Sequence, residues 1–234
     1  MARLPRLAVG GLPHLVRLVG RPGQAVFRDD QDRQQFLAAL RESALQHGVA
    51  VHAYSLLDAE VRLLLTPPTA SALGQLMQGL GRRYVAGFNR RHGHSGALWA
   101  GRYRASVVQP GPLVCAAMLG VDTLALRSGQ VTDAAQHPWS STRHHLGLVR
   151  DPVVTVGQAY WALGNTPFER EAAYRKLLDA GPDSVLMRQL DEAAHKGWAV
   201  GDAGFLAELA QDLHRPVMPR RRGRPRGVTT SSRV

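Results

Sequence analysis

The chain is poor in several things, and each shortage narrows what it can be. Its 234 residues include a single cysteine, Cys115, so no internal disulfide framework is available, and this usage fits a reducing cytoplasm. No apolar run approaches the roughly 20 residues that a membrane-spanning helix requires, so no membrane partner is expected. The opening MARLPRLAVGG is basic and then mildly apolar, but too short for a secretory signal. Acids are scarce too: 18 Asp and Glu face 29 Lys and Arg, giving a formal net charge of +11 and a pI near 11.0. Between Val61 and Val121 there is no acid at all, while Arg62, Arg82, Arg83, Arg90, Arg91, Arg102 and Arg104 fall in that window. A one-sign field of this length points to a polyanion. Nearly all the cations are arginine, which fits either a GC-rich genome or forked phosphate contacts; composition alone does not separate the two.

What is present organises around Val49–Pro68, VAVHAYSLLDAEVRLLLTPP. Two apolar runs, Val49–Leu57 and Val61–Leu65, flank a polar break at Asp58–Glu60 and predict a tight β-hairpin at the centre of a sheet. Alternation puts Glu60, Arg62 and Leu64 on one face of the second strand, an odd choice for a strand built only to pack. Upstream, Gly11–Val19 predicts a first strand containing His14. A helix follows: Asp29, Asp30 and Asp32 suit its dipole, Phe36, Leu37, Leu40, Ala44 and Leu45 make its stripe, and Gly48 ends it. Downstream, a helix is expected over Ala70–Arg91, with Leu73, Leu76, Met77, Leu80, Tyr84, Val85 and Phe88 inward. A fourth strand over Tyr103–Gln109 and a helix over Pro112–Arg127 complete the core. Ser140 or Ser141, after Pro138-Trp139, suits a helix cap. Val153–Leu213 reads as largely helical, with Trp198 and Phe205 packing it together. At this length one full core and a smaller second unit are affordable.

Arginines interleaved with aromatic side chains suit single-stranded or hairpin nucleic acid, through phosphate contacts and base stacking. The candidate DNA contacts are Arg82, Arg83, Arg90, Arg91, Arg102, Tyr103 and Arg104, whereas Tyr84 and Phe88 are assigned to the core. From Arg215 onward no acid occurs, and Arg215, Arg220, Arg221, Arg222, Arg224, Arg226 and Arg233 contribute seven positive charges. PRRRGRPRG is similar to a minor-groove hook, and a general polyanion anchor fits it equally; such a tail is expected to be disordered alone. Arg220, Arg221, Arg222, Arg224 and Arg226 therefore join the candidate contacts.

The wording HAYSLLDAEVRLLLTPP, the helix segment VFRDDQDRQQFLAAL, the phrase GRRYVAGFNRRHGHSGALWAGRYRA, the marker PWSS and the segment HKGWAVGDAGFLAELA resemble the REP-associated tyrosine transposases. These are bacterial single-tyrosine members of the HUH endonuclease superfamily. The resemblance covers nearly the whole chain and implies an α+β, ferredoxin-like βαββαβα core. It divides the chain into a DNA-binding domain over residues 1–150, a helical extension over 151–214 and a basic tail over 215–234. In that family the second hairpin strand carries two histidines that bind a divalent metal such as Mg or Mn, and a later helix carries the nucleophilic tyrosine. Here the matching positions are Glu60 and Arg62, and Gly120. Glycine offers no nucleophile, and an arginine on the same strand face as Glu60 repels a metal or pairs with the carboxylate. No metal or other cofactor is expected unless the site is functional. The expected function is thus DNA binding by a catalytically inactive relative, in a bacterial cytoplasm and nucleoid-associated, as monomer or homodimer. Two alternatives stand beside it: an active strand-transferase using substitute residues such as Tyr54, Tyr84 or Tyr103, and an RNA-binding regulator.

Overall fold

The computed structural model describes residues 6–219. The predicted hairpin forms as β2 (Ala50–Leu57) and β3 (Glu60–Thr66). With β1 (His14–Val19) and β4 (Arg104–Val107) it builds a four-stranded sheet in the order β2-β3-β1-β4, every neighbouring pair antiparallel. The crossover from β1 to β2 is α1 (Asp30–His47), and that from β3 to β4 is α2 (Ala70–His92). Asp29 caps α1 by accepting the Asp32 amide at 3.0 Å, and Gly48 closes it at φ 63°, where a side chain would be strained.

The alternation of β3 sorts the two sides of the sheet. Val61, Leu63 and Leu65, with Val16 and Leu18 of β1, pack against Phe36 and Leu40 of α1 and Leu73, Leu76, Leu80, Tyr84 and Phe88 of α2. Tyr84 and Phe88 are buried, as expected, and the Tyr84 hydroxyl donates to the Val26 carbonyl. Leu45, expected in the α1 stripe, is instead 73% exposed; Ser43 and Ala44 take the inward positions at that turn.

The opposite face, with Leu15, Ala53 and Leu64, is covered by helices from the second half of the chain. These are α3 (Pro112–Asp122), α4 (Leu124–Arg127), α5 (Thr142–His145), α6 (Gln158–Trp161), α7 (Pro167–Ala180) and α8 (Ser184–Lys196), and α9 (Ala203–Asp212) packs at the β4 edge. The single helix expected over Pro112–Arg127 is divided at Thr123. Its hydroxyl donates to the Leu119 carbonyl at 2.6 Å, sharing that acceptor with its own amide at 2.9 Å. Ser141 precedes α5, yet its hydroxyl donates to Asp122 at 2.5 Å rather than capping its own helix. Among the described residues no helix is long and apolar enough to cross a membrane.

His14 lies fully buried on β1, where its Nδ1–H donates to the Leu12 carbonyl at 2.8 Å and its Nε2 accepts the Val9 amide at 3.2 Å. Both ring positions are satisfied by backbone, so it is a structural histidine. Burial lowers its pKa from 6.5 to about 4. The unfolded chain therefore takes up a proton that the folded chain refuses: stability is intact above pH 6.5 and is lost as pH falls through 4. Replacing His14→Gln should flatten this acid limb, by on the order of 3 kcal/mol across the window. Urea midpoints measured from pH 7.5 to 4 check it; an unchanged limb would place the acid sensitivity elsewhere.

Candidate nucleic-acid interface

The face of the sheet turned toward α8 carries a chain of charges. Arg17 of β1 stands opposite Arg62 of β3 in the strand register. Glu60 receives Arg17 through two bonds of 2.9 and 2.8 Å and accepts a third from Arg62. Arg62 in turn donates to Asp191 of α8, and Arg127 lies 3.8 Å from Asp191 while donating to the Gly120 carbonyl at 2.7 Å. Burial acts against the Glu60 carboxylate, but the bonds from Arg17 and the charge of Arg62 outweigh it and hold its pKa below the ordinary range. Arg62 shifts the other way: burial would lower it, and Glu60 and Asp191 raise it.

This arrangement tests whether a divalent ion fits where the family resemblance would put one. It does not. Both Glu60 oxygens are taken by guanidinium groups, and Arg62 lies where a cation would have to sit. The position matched to the nucleophile is closed as well, since a Cβ on Gly120 would come within 2.6 Å of Met187 Sδ of α8. The candidate substitute tyrosines lie elsewhere. Tyr54 is buried on the α1–α2 side with its hydroxyl on Asp151, and burial pushes its pKa up. Tyr84 is in the same core. A second grouping of metal-ligand types, Asp29, Asp32 and His92, is already bridged by Arg91, which bonds Asp29 at 2.6 Å and Asp32 at 2.5 Å.

Along the free side of β4 runs a cleft of about 990 Å³. Arg6, Arg17, Arg102, Arg104, Lys196 and Arg215 line it, with Tyr103, His195 and Trp198, and no acid lines it among the described residues. β4 supplies one wall and the C-terminal end of α8 the other. Arg104 ties them by donating to the His195 carbonyl. Arg6 donates to the Tyr103 carbonyl at 3.1 Å and stacks its guanidinium 4.0 Å from the Tyr103 ring centroid. The crowding of cations is felt by His195: Arg104 first, then desolvation, Arg17 and Lys196, lower its pKa.

The candidate contacts named from sequence thus separate into three places. Arg102, Tyr103 and Arg104 meet in the cleft. Arg82 and Arg83 border a groove of about 370 Å³ between α1 and α2, where Arg83 is bonded to Ser43 at 2.9 Å and Glu42 at 3.0 Å. Arg91 is held by Asp29 and Asp32, and Arg90 is exposed near the end of α2. Arg220, Arg221, Arg222, Arg224 and Arg226 lie outside the described residues. Sequence reading missed Arg6, Arg17, Lys196 and Asp191, and it assigned Trp198 to packing alone. Of these only Arg17 left a signal, as a charge alternating with Leu15 and Val19 on an otherwise apolar strand.

No protein-family model matches the chain, and no curated protein matches its sequence. Solved structures do match. A REP-associated tyrosine transposase bound to a REP hairpin superposes with a TM-score of 0.51 at 13% identity, over 68% of this chain and 93% of that one. A candidate transposase from Deinococcus radiodurans R1 matches at 20% identity over 56% and 91% of the two chains, with a TM-score of 0.35. The first likeness gives this chain a transposase-like α+β fold.

The ion chain makes a prediction about stability. Arg62 is nearly buried, so Arg62→Ala empties its site and leaves Glu60 to Arg17 alone and Asp191 to the more distant Arg127, and it should cost about 3 kcal/mol in urea unfolding. Glu60→Leu, Arg62→Met and Asp191→Leu together should recover most of it, because apolar groups of similar volume fill the buried site and the arginines they release, Arg17 and Arg127, are more exposed than Arg62. A triple variant as weak as Arg62→Ala would show that packing, and not weakened pairing, set the loss.

Proposed function

We propose that the chain binds DNA in the cleft beside β4 and does not cut it. Its single support for binding is the cleft itself: six cations, two aromatic rings and no acid in its described lining, on the edge of a sheet whose fold resembles that of a protein bound to a DNA hairpin. Cations at this spacing meet phosphates, and Trp198 offers a ring to an unpaired base, whereas Tyr103 is covered by the Arg6 guanidinium. Hairpin or single-stranded DNA is the favoured ligand, because stacking needs bases freed from a duplex.

The strand order and antiparallel pairing support naming the core ferredoxin-like; on this reading residues 1–150 carry the sheet side of the DNA-binding cleft, and the helical extension over 151–214 adds His195, Lys196 and Trp198 opposite it. Inactivity is inferred from chemistry. Phosphodiester transfer of this class needs a nucleophile beside an electrophilic centre that polarises the phosphate. Glu60, Arg62 and Gly120 provide neither: the carboxylate is consumed by arginines, and the glycine faces Met187. Incubation with hairpin DNA and Mg or Mn should accordingly give no covalent band on a denaturing gel. A band that disappears with Tyr54→Phe or Tyr103→Phe would restore the enzyme reading.

Binding is tested by arginine replacement. Arg6→Ala and Arg102→Ala should each reduce the slope of log K against log salt by about 0.7 on single strands, whereas Arg82→Ala on the α1–α2 groove should leave it within error. His195 supplies a second readout: its pKa, lowered in the free protein by Arg104, should rise when phosphate fills the cleft, since a nearby anion favours the imidazolium. Equal effects of Arg82→Ala and Arg102→Ala, with His195 unmoved in an NMR titration, would remove the cleft from the account. Tighter binding of RNA than of DNA of the same sequence would favour the RNA-regulator reading.

A further inference from the structure

One row of the sheet sets three arginines side by side. In the strand register Ser55 of β2 faces Arg62 of β3, Arg62 faces Arg17 of β1, and Arg17 faces Arg104 of β4. Ser55, Arg62 and Arg17 lie two residues along their strands from Ala53, Leu64 and Leu15, so the row is on the face turned toward α8. Cross-strand neighbours stand about 5 Å apart at Cβ, and like charges so placed repel. The Arg62–Arg17 pair is relieved from within: Glu60 receives Arg17 at 2.9 and 2.8 Å and accepts from Arg62 as well. The Arg17–Arg104 pair is not. Both of these arginines line the cleft, no acid lines it among the described residues, and His195 beside them registers their charges as a lowered pKa.

We propose that Arg17 and Arg104 together clamp one backbone phosphate of the bound DNA, and that Glu60 is the positioning residue that holds Arg17 for it. The inference rests on the cleft reading above. A phosphate between the two guanidinium groups does for this pair what Glu60 does for its neighbour. Donors are in supply, since a guanidinium carries five N–H groups in a fixed fork. Arg17 gives Nε and Nη2 hydrogens to Glu60, and Arg104 gives one from Nη1 to the His195 carbonyl, so both can still fork onto phosphate oxygens. Glu60 grips Arg17 along one edge, which fixes the plane of the guanidinium before any ligand arrives and spares that ordering cost on binding. The carboxylate is not part of the cleft lining, and Arg62 keeps it in place from the other side. It therefore acts through Arg17 and does not touch the strand.

The experiment titrates the full chain with a single strand of about six thymidines, by anisotropy at several salt concentrations. Arg17→Ala and Arg104→Ala should each raise Kd about five- to tenfold. Together they should lower the slope of log K against log salt by about 0.7, the value for one phosphate, rather than by the roughly 1.4 of two. Glu60→Gln should raise Kd about three- to fivefold near about 0.3 M salt, where the longer-range gain from removing an anion is screened. That loss should vanish when Arg17 is already Ala or Lys, whereas damage to the fold would persist in both backgrounds. Arg17→Lys leaves Glu60 untouched and keeps the charge, yet it should lose as much affinity as Arg17→Ala, because an ammonium cannot serve carboxylate and phosphate as a fork does. A slope loss near 1.4 would put the two arginines on separate phosphates, and tighter binding by Glu60→Gln would make the carboxylate a competitor. Either result, or full affinity in the double arginine variant, overturns the clamp while the cleft reading stands. Failure of the unaltered chain to bind the strand overturns the cleft reading, and the clamp with it.

Discussion

One carboxylate between two guanidinium groups sets how the second half of the molecule sits on the first. Glu60 is held by Arg17 from the neighbouring strand and by Arg62 two residues along its own. With Glu60 satisfied, Arg62 still has donors to spare, and they go to Asp191 of α8. The helix is thereby pinned over a polar patch that an apolar layer would have sealed differently. Its last turn then stands beside β4, where Arg104 holds the His195 carbonyl. The wall of the basic cleft is a consequence: the residues that close off the charged pocket are one turn away from those that line the cleft.

A second buried polar group fastens the same layer from the other end. Asp122, at the end of α3 and fully buried, accepts from Ser141 at 2.5 Å, from Tyr174 at 2.7 Å and from His145 at 2.7 Å. His145 reaches on to the His52 carbonyl at 3.1 Å, so α3, α5, α7 and β2 share one network. Carboxylates left unpaired in such a place are costly, whereas one with three donors specifies a single arrangement of the helices around it. Ser141, two residues after Trp139, is therefore spent on tertiary structure rather than on capping.

Local pattern was enough to read the scaffold. The hairpin, the acidic start and glycine end of α1, the inward aromatic stripe of α2 and the polar face of β3 all follow from period and chemistry within a dozen residues. What could not be read was pairing at long range. Asp191 lies 129 residues from Arg62, and nothing near Asp191 distinguishes it from the other charges of an amphipathic helix. Leu45 fitted the helical period, yet no element covers it, because α2 crosses on the side of Ser43. The same limit blurred the candidate interface: an acid-free stretch of sequence looked like a single field, but the chain folds it around three different surfaces.

Net charge is consequently a poor guide to where a polyanion would bind, and the distribution of acids is a better one. Asp29 and Asp32 are used on Arg91, Glu42 on Arg83, Asp30 and Asp58 on Arg33, and Glu60 and Asp191 on Arg17, Arg62 and Arg127. Most of these pairs sit on the body of the fold, where they serve packing and geometry. In the cleft beside β4, Arg17 is paired with Glu60 and Lys196 with Glu192, but two other cations differ. Arg6 and Arg104 are positioned by neutral carbonyls, which fix a guanidinium without cancelling its charge. A cation held in place but left electrically uncompensated retains its full attraction for phosphate, and it has already lost the side-chain freedom that binding would otherwise remove. The α1–α2 groove has arginines as well, but there Glu42 offsets part of their charge. What sets Arg6 and Arg104 apart is this positioning by neutral carbonyls, more than the count of basic residues around them.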